Sequence, residues 1–227
     1  MSMGEIAATI GVDLGQKRDA TAIVVVEELE RIVGPTDANS MQDNVRDLES
    51  VFVLRHASLS AQGTPYTEVV KETVELCHRP ELRRAQIVFD ETGVGVGVKD
   101  LYQVQYDRDP RLWYRPIGVT ITGGTSATRK RVSKFNLISN LRAIAESDRL
   151  MFPDDLPLAD KVRQELRDFT LKYTATGHAR FEADKESQHD DLVLALSLAV
   201  WKTHPHVTPW GLNPDGTTID RWFEDAA

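Results

Sequence analysis

Three places in the sequence put acids where an apolar segment stops. Asp13 closes the run Ala7-Ala8-Thr9-Ile10-Gly11-Val12, and Asp90 closes Gln86-Ile87-Val88-Phe89. The pair Asp190-Asp191 opens Leu192 to Trp201, which is apolar almost throughout. Each acid by itself has an ordinary use: an acid after a strand is a turn residue, and an acid at a helix start is an N-cap. The set of three, each against an apolar element, points to chemistry. If the strands ending in Asp13 and Asp90 are neighbours, both acids emerge at one end of the sheet, and a helix crossing that end adds Asp190 or Asp191. Carboxylates gathered in this way repel one another and are costly to bury unpaired, unless divalent cations neutralise them. Hard oxygen ligands with open positions suit Mg²⁺ or Mn²⁺. Two such ions about 4 Å apart would activate a water and stabilise a leaving oxygen in phosphodiester cleavage.

The elements that must position these acids follow from periodicity. The first apolar run and Ala22-Ile23-Val24-Val25-Val26, joined by the polar turn 16–21, predict a β-hairpin. Segment 27–50 carries seven acids against Arg31 and Arg46, with Gly34-Pro35 inside it, and reads as a solvated acidic excursion in the first hairpin region. Val51 to His56 resumes the sheet. Val69, Val70, Thr73, Val74 and Cys77 make a helical stripe that Pro80 ends. The strand before Asp90 runs into Gly93-Val94-Gly95-Val96-Gly97, whose spacing fails the dinucleotide fingerprint and fits a tight backbone turn beside Asp90. A helix to about Gln105 and a strand from Leu112 to Val119 come next. Ser133 caps a helix, and Pro157 opens another with Leu158, Val162, Leu166 and Phe169 inward. A hairpin is expected between Thr170 and Ala183, and the last helix, apolar nearly all round, belongs deep in the fold. This order predicts an α/β protein: a mixed sheet of antiparallel hairpin strands followed by parallel strands, with helices on both faces.

Composition narrows the classes. At 227 residues the chain can build one sizeable core but not two full domains. Its 27 basic against 35 acidic residues give a net charge of −8, which excludes binding nucleic acid through bulk charge. Cys77 is the only cysteine, so a disulfide framework and a cysteine zinc site are both excluded. No apolar run approaches the ~20 residues that span a bilayer, and the N-terminus lacks a secretory pattern, so an intracellular protein without membrane contact is expected.

Several segments together resemble the nuclease domain of the large terminase subunit of tailed bacteriophages. They are Ile10-Gly11-Val12-Asp13-Leu14-Gly15 with Asp19 to Ile23, then Val88-Phe89-Asp90-Glu91-Thr92-Gly93-Val94-Gly95, and then His189-Asp190-Asp191-Leu192 to Leu196. Leu156-Pro157-Leu158 with Glu165-Leu166, and the segment Tyr173 to His178, are similar too. The resemblance runs from about Ile6 to Trp201. It implies an RNase H-like (RuvC-type) domain over 1–204, followed by an irregular tail over 205–227. It also implies an endonuclease that cuts double-stranded, concatemeric viral DNA during packaging in the host cytoplasm, with two divalent metals. Under it Asp13 would bind or bridge both ions and Asp90 would bind one. Asp191 would be the third ligand and Asp190 an alternate or supporting one, since adjacent helix positions point about 100° apart. His189 would orient a water or phosphate, or simply cap the helix. The implied partners are the packaging ATPase domain, the small terminase subunit and the portal. No Gly-x-x-x-x-Gly-Lys-Ser/Thr phosphate loop occurs in the chain, so an isolated nuclease domain, natural or excised, is expected.

Arg129, Lys130, Arg131 and Lys134 place four cations within six residues after the Gly123-Gly124 loop, where they would neutralise phosphates. Cations are mildly unfavourable at a helix start, which favours a functional reason for them. Phosphate contacts of this kind read no sequence, so low sequence specificity is expected. Arg79, Arg83 and Arg84 read as plain surface. Three other readings compete. A Holliday-junction resolvase would share the metal chemistry but choose branched DNA. A module that only docks on a packaging motor would not need the acids. A sugar-kinase or actin-like ATPase, which Gly11 to Gly15 with Thr21 also resembles, would need a second phosphate hairpin.

Overall fold

A computed structural model describes residues 7–15, 19–33, 47–93, 95–123, 127–128, 131–173, 179–183 and 190–203. Strands β1 (Ala7–Asp13), β2 (Ala22–Val33) and β3 (Asp47–Leu59) form an antiparallel meander. Helix α1 (Tyr66–Cys77) then crosses to β4 (Gln86–Asp90), which lies parallel to β1 on its other side. Helix α2 (Gly95–Arg108) leads to β5 (Ile117–Thr122), parallel to β4. The short strands β6 (Ala127–Thr128) and β7 (Arg131–Ser133) finish that side. Helix α3 (Lys134–Glu146) returns to β8 (Leu150–Met151), parallel to β3 at the opposite edge. The order across the eight strands is β6-β7-β5-β4-β1-β2-β3-β8. Helix α4 (Ala159–Asp168), the separate hairpin β9 (Phe169–Tyr173) and β10 (Ala179–Ala183), and helix α5 (Asp191–Thr203) complete the chain.

The period-2 alternation of the central strands builds two cores. Ile10 and Val12, with Ile23, Val25, Ile87 and Phe89, face α1 and α2. Ala22, Val24 and Val26, with Phe52 and Leu54, face α3, α4 and α5. Both faces are therefore covered, as the sequence predicts. Five residues of β2, from Ala22 to Val26, are buried, so its run reads as continuous rather than alternating. No helix among the described residues is long and apolar enough to cross a membrane.

The structure corrects four details. The acidic stretch is not a solvated excursion along its whole length: β2 continues to Val33, opposite Asp47 of β3. Cross-strand pairs carry the strands onward, with Arg31 on Glu49 at 2.6 Å and Arg55 on Glu27 at 2.5 Å. The remaining part, 34–46, joins β2 to β3 rather than closing the first hairpin, and it lies outside the described residues. Secondly, β5 starts at Ile117, because Pro116 just before it has no amide to give a ladder. Arg84, read as plain surface, is half-buried with its guanidinium over the Trp113 ring at 4.4 Å. Finally, α4 opens at Ala159, after a left-handed Leu158 (φ 64°), and Phe169 belongs to β9. The tail 205–227 lies outside the described residues.

Candidate active site

Asp13 and Asp90 share one end of the sheet because β1 and β4 are parallel neighbours. Val12 stands opposite Phe89, so the next residue on each strand is one of the two acids. Neighbouring strands lie about 4.8 Å apart. The turn beyond Asp13 is fastened: the Gly15 amide donates to Thr21 Oγ1 at 3.0 Å, and the Tyr66 hydroxyl donates to the Gly15 carbonyl at 3.1 Å. Beyond Asp90 the chain turns at Gly93, whose φ of 76° is open to glycine at little cost. That is the role read for the glycine run. Stacking of Phe89 on Tyr102, 4.7 Å between ring centroids, fixes α2 against β4 behind the turn.

The third set of acids arrives on α5, and Gly11 decides where. A Cβ at Gly11 would stand 2.0 Å from the Ala195 carbonyl oxygen, so only glycine lets the helix backbone lie directly on β1. Gly11 and Asp13 share a face of the strand, about 6.6 Å apart along it. Ala195 and Asp191 share a face of the helix, about 6 Å apart along its axis. One close contact therefore brings Asp191 level with Asp13. Leu192, Val193, Leu196, Leu198 and Val200 are wholly buried, each stabilising by about 1.5–3 kcal/mol, and this burial holds the helix against the repulsion of its own first residues.

The electrostatics report the convergence. Asp13 is only 9% exposed, and burial pushes its carboxyl well above the ordinary range. The neighbouring charges of Asp90, Asp191 and Asp190, in that order of strength, push it further, and Lys134 pulls it back. Burial also raises Asp90, against hydrogen bonds from Thr92 and a backbone contribution from Ile121. Asp90 Oδ1 accepts from the Thr92 amide at 2.8 Å and from the Thr92 hydroxyl, which itself accepts from the Ile121 amide at 2.8 Å. The Lys134 ammonium donates to Asp190 Oδ2. These bonds turn Asp90 and Asp190 toward protein donors, and among the described residues no three acidic, histidine or cysteine side chains already close on one point. The donor set still fits a hard divalent cation: three carboxylates act on Asp13 at a half-buried edge, and the nearby Lys134 opposes only part of that charge.

The other expected residues fall as follows. Arg131 is exposed on β7, and its strand partner Thr120 follows Val119, the residue opposite Asp90. It stands at the carboxylate end, two strand spacings (about 10 Å) from Asp90. Lys134 belongs to the acidic cluster itself. Arg129, Lys130 and His189 lie outside the described residues. Ser133 caps α3 as read, its hydroxyl accepting from the Asn136 amide at 3.0 Å.

Sequence reasoning gave Glu165 no role. It is 6% exposed on α4, and its Oε2 accepts from the amides of Leu192 at 3.1 Å and Val193 at 3.2 Å. Burial, with a contribution from Asp191, pushes its carboxyl up to about 7, while the two amides pull it down. The signal was available: Ala159, Val162 and Glu165 follow the i, i+3, i+6 spacing of an inward stripe, where an acid is out of place.

No family model matches the chain, and no curated protein matches it. Solved structures do. The chain is similar to the large terminase nuclease from thermophilic phage G20c with bound magnesium, at TM-score 0.60 and 21% identity, covering 86% of this chain and 81% of that one. It is similar to the g2p (large terminase) nuclease domain of bacteriophage SPP1 with bound Mn, at TM-score 0.50 and 12% identity, covering 87% and 86%. Against the HK97 bacteriophage large terminase the TM-score is 0.51 at 13% identity, covering 87% of this chain and 39% of that one. The chain thus has the RNase H-like fold of the large terminase nucleases.

Proposed function

We propose, from that shared fold and from the carboxylates gathered on Asp13, that this protein is a divalent-metal-dependent endonuclease that cuts double-stranded DNA during viral genome packaging. The single observation that carries the reading is the crowding of Asp13, on β1, by acids from β4 and from the start of α5. Nothing in folding the chain requires three elements to deliver like charges to one buried edge; binding cations does. Neighbours of the same fold were solved with bound magnesium and with bound Mn.

Asp13, with Asp90 and Asp191, would hold the two ions. Two Mg²⁺ or Mn²⁺ ions there would supply a water of lowered pKa and neutralise the leaving oxygen of the phosphodiester. Asp191 is preferred to Asp190 because it acts more strongly on Asp13 and because Asp190 is engaged by Lys134. Thr92 orients Asp90 through two hydrogen bonds. Lys134 would steady Asp190 and lend positive charge to the edge where a phosphate arrives. Arg131, with Arg129 and Lys130 before it, would follow the DNA backbone without reading bases. The packaging ATPase, the small terminase subunit and the portal would be partners.

The test is plasmid digestion with Mn²⁺, Mg²⁺ or EDTA, comparing wild type with Asp13→Ala and Asp90→Ala. Cleavage is expected with either ion and in none of the other arms; cleavage that survives EDTA or either substitution overturns the proposal. Preference for a four-way junction over linear duplex in the same assay would assign a resolvase instead.

A further inference from the structure

The first turn of α5 is capped from a distance. In a helix beginning at Asp191, Leu192 and Val193 are the second and third residues, whose amides have no partner within the helix. Those two amides are the usual targets of an N-cap side chain, and Asp190, immediately before the helix, is of the type that serves best. Yet its carboxylate is drawn to Lys134. The amides are taken by Glu165, which comes from α4, 27 residues earlier in the chain than Leu192.

A purely structural cap does not account for Glu165. Its Oε1 is buried with no hydrogen-bond partner among the described residues, so an acid at this place leaves one polar atom unsatisfied. An acid here also adds a like charge beside Asp191. What the arrangement secures is division of labour: Glu165 satisfies the helix end, so the Asp190 carboxylate stays with Lys134 near Asp13 instead of folding back onto its own helix. The negative carboxylate also complements the positive end of the helix.

We infer that Glu165 is a positioning residue that stands in for the local cap of α5 and so holds Asp190 and Asp191 at the metal-binding edge. The inference deepens the proposed function and rests on it for the identity of the ligands. Without Glu165, Asp190 would turn back onto the Leu192 and Val193 amides, and the acidic edge would lose one carboxylate and the fixed orientation of another. Outer partners of metal ligands typically contribute 10- to 100-fold to metal affinity.

The experiment uses the full chain and Mn²⁺ as probe. Glu165→Ala is expected to weaken Mn²⁺ binding about 10- to 100-fold by calorimetry and to lower kcat on plasmid DNA with KM for DNA unchanged. Hydrogen exchange at the Leu192 and Val193 amides should lose its protection. Glu165→Gln keeps an oxygen for both amides, so metal affinity and protection should return to near wild type. Val162→Ala, on the same stripe of α4, sets the effect of destabilisation alone and should leave Mn²⁺ affinity unchanged. If Glu165→Ala does not fold, Glu165→Asp, one methylene shorter, replaces it with the same expectations. Wild-type Mn²⁺ affinity in the shortened variant, an equal loss in Val162→Ala, or unchanged amide protection overturns the inference while the proposed function stands. A wild type that takes up no Mn²⁺ overturns the proposed function and the metal-positioning claim with it.

Discussion

The two ends of the central hairpin handle charge in opposite ways. At the end away from Asp13, where β2 pairs with β3, two acids are met by arginines across the strands, Arg31 on Glu49 and Arg55 on Glu27. Both arginines are nearly half exposed, so each pair contributes only about 0–1 kcal/mol. At the other end, Asp13, Asp90, Asp190 and Asp191 are brought together, with Lys134 beside them. Two like charges about 5 Å apart at an effective dielectric near 20 repel by about 3 kcal/mol. At one end Glu27 and Glu49 each meet an arginine from the facing strand. At the other the burial of the surrounding elements holds the acids together, and under the proposed function a divalent cation offsets their charge.

The sharpest way to break this contrast is Asp13→Asn. Cleavage should fall by about three orders of magnitude or more, equivalent to about 4 kcal/mol in the barrier, as plasmid digestion in Mn²⁺ would read. The same variant should raise metal-free stability by about 1–2 kcal/mol, roughly 2–8 °C in Tm. A variant that loses both activity and stability would mean that Asp13 is structural.

Next comes Gly11→Ala. Its added carbon cannot stand 2.0 Å from the Ala195 oxygen, so α5 must lift from β1. Destabilisation of about 3 kcal/mol in chemical denaturation is expected, together with weaker Mn²⁺ binding because Asp191 leaves the level of Asp13. Full activity would show that the helix register is not set there.

The acidic end should also give the protein an inverted pH response. Asp13 and Asp90 are raised, and Glu165 is pushed up to about 7, so all three hold protons more tightly folded than unfolded. Their contribution is complete below the ordinary carboxylate range and is lost as pH rises through the raised values, for Glu165 through about 7. Metal-free Tm should therefore fall between about pH 4.5 and 7.5, and Mn²⁺ should restore more at pH 8 than at pH 5, where protons compete for the same oxygens. A scanning-calorimetry series with and without Mn²⁺ checks both signs.

The smallest effect belongs to the end with the cross-strand pairs. Arg31→Ala should cost no more than about 0.5–1 kcal/mol, diminishing further in 0.5 M salt, and should leave cleavage unchanged. A large loss of cleavage would tie the β2–β3 arm to the reaction.

Much of this was legible before any coordinates. Apolar runs that stop at Asp13 and Asp90 mark strand ends, because a buried strand cannot continue through an unpaired charge. The nearly continuous apolar stretch after Asp191 marks a helix buried on all sides. Ser133 announces its helix by the preference of a hydroxyl for the cap. What escaped notice has little local signal. β6, β7 and β8 are two or three residues long, too short for any period to show. The outer halves of β2 and β3 look like loop because they are rich in acids, and what carries them as strands is pairing with a distant segment, as Arg31 with Glu49.

By itself, the order of residues determined which segments are strands and helices and which acids sit at their ends, since both follow from the side-chain period and the cost of burying charge. Only the tertiary structure decided that Gly11 would meet Ala195, that Lys134 would reach Asp190, and that Glu165 would cap a helix 27 residues later in the chain. The reason is physical: proximity across the fold depends on which surfaces exclude water together, and no window along the chain contains both partners.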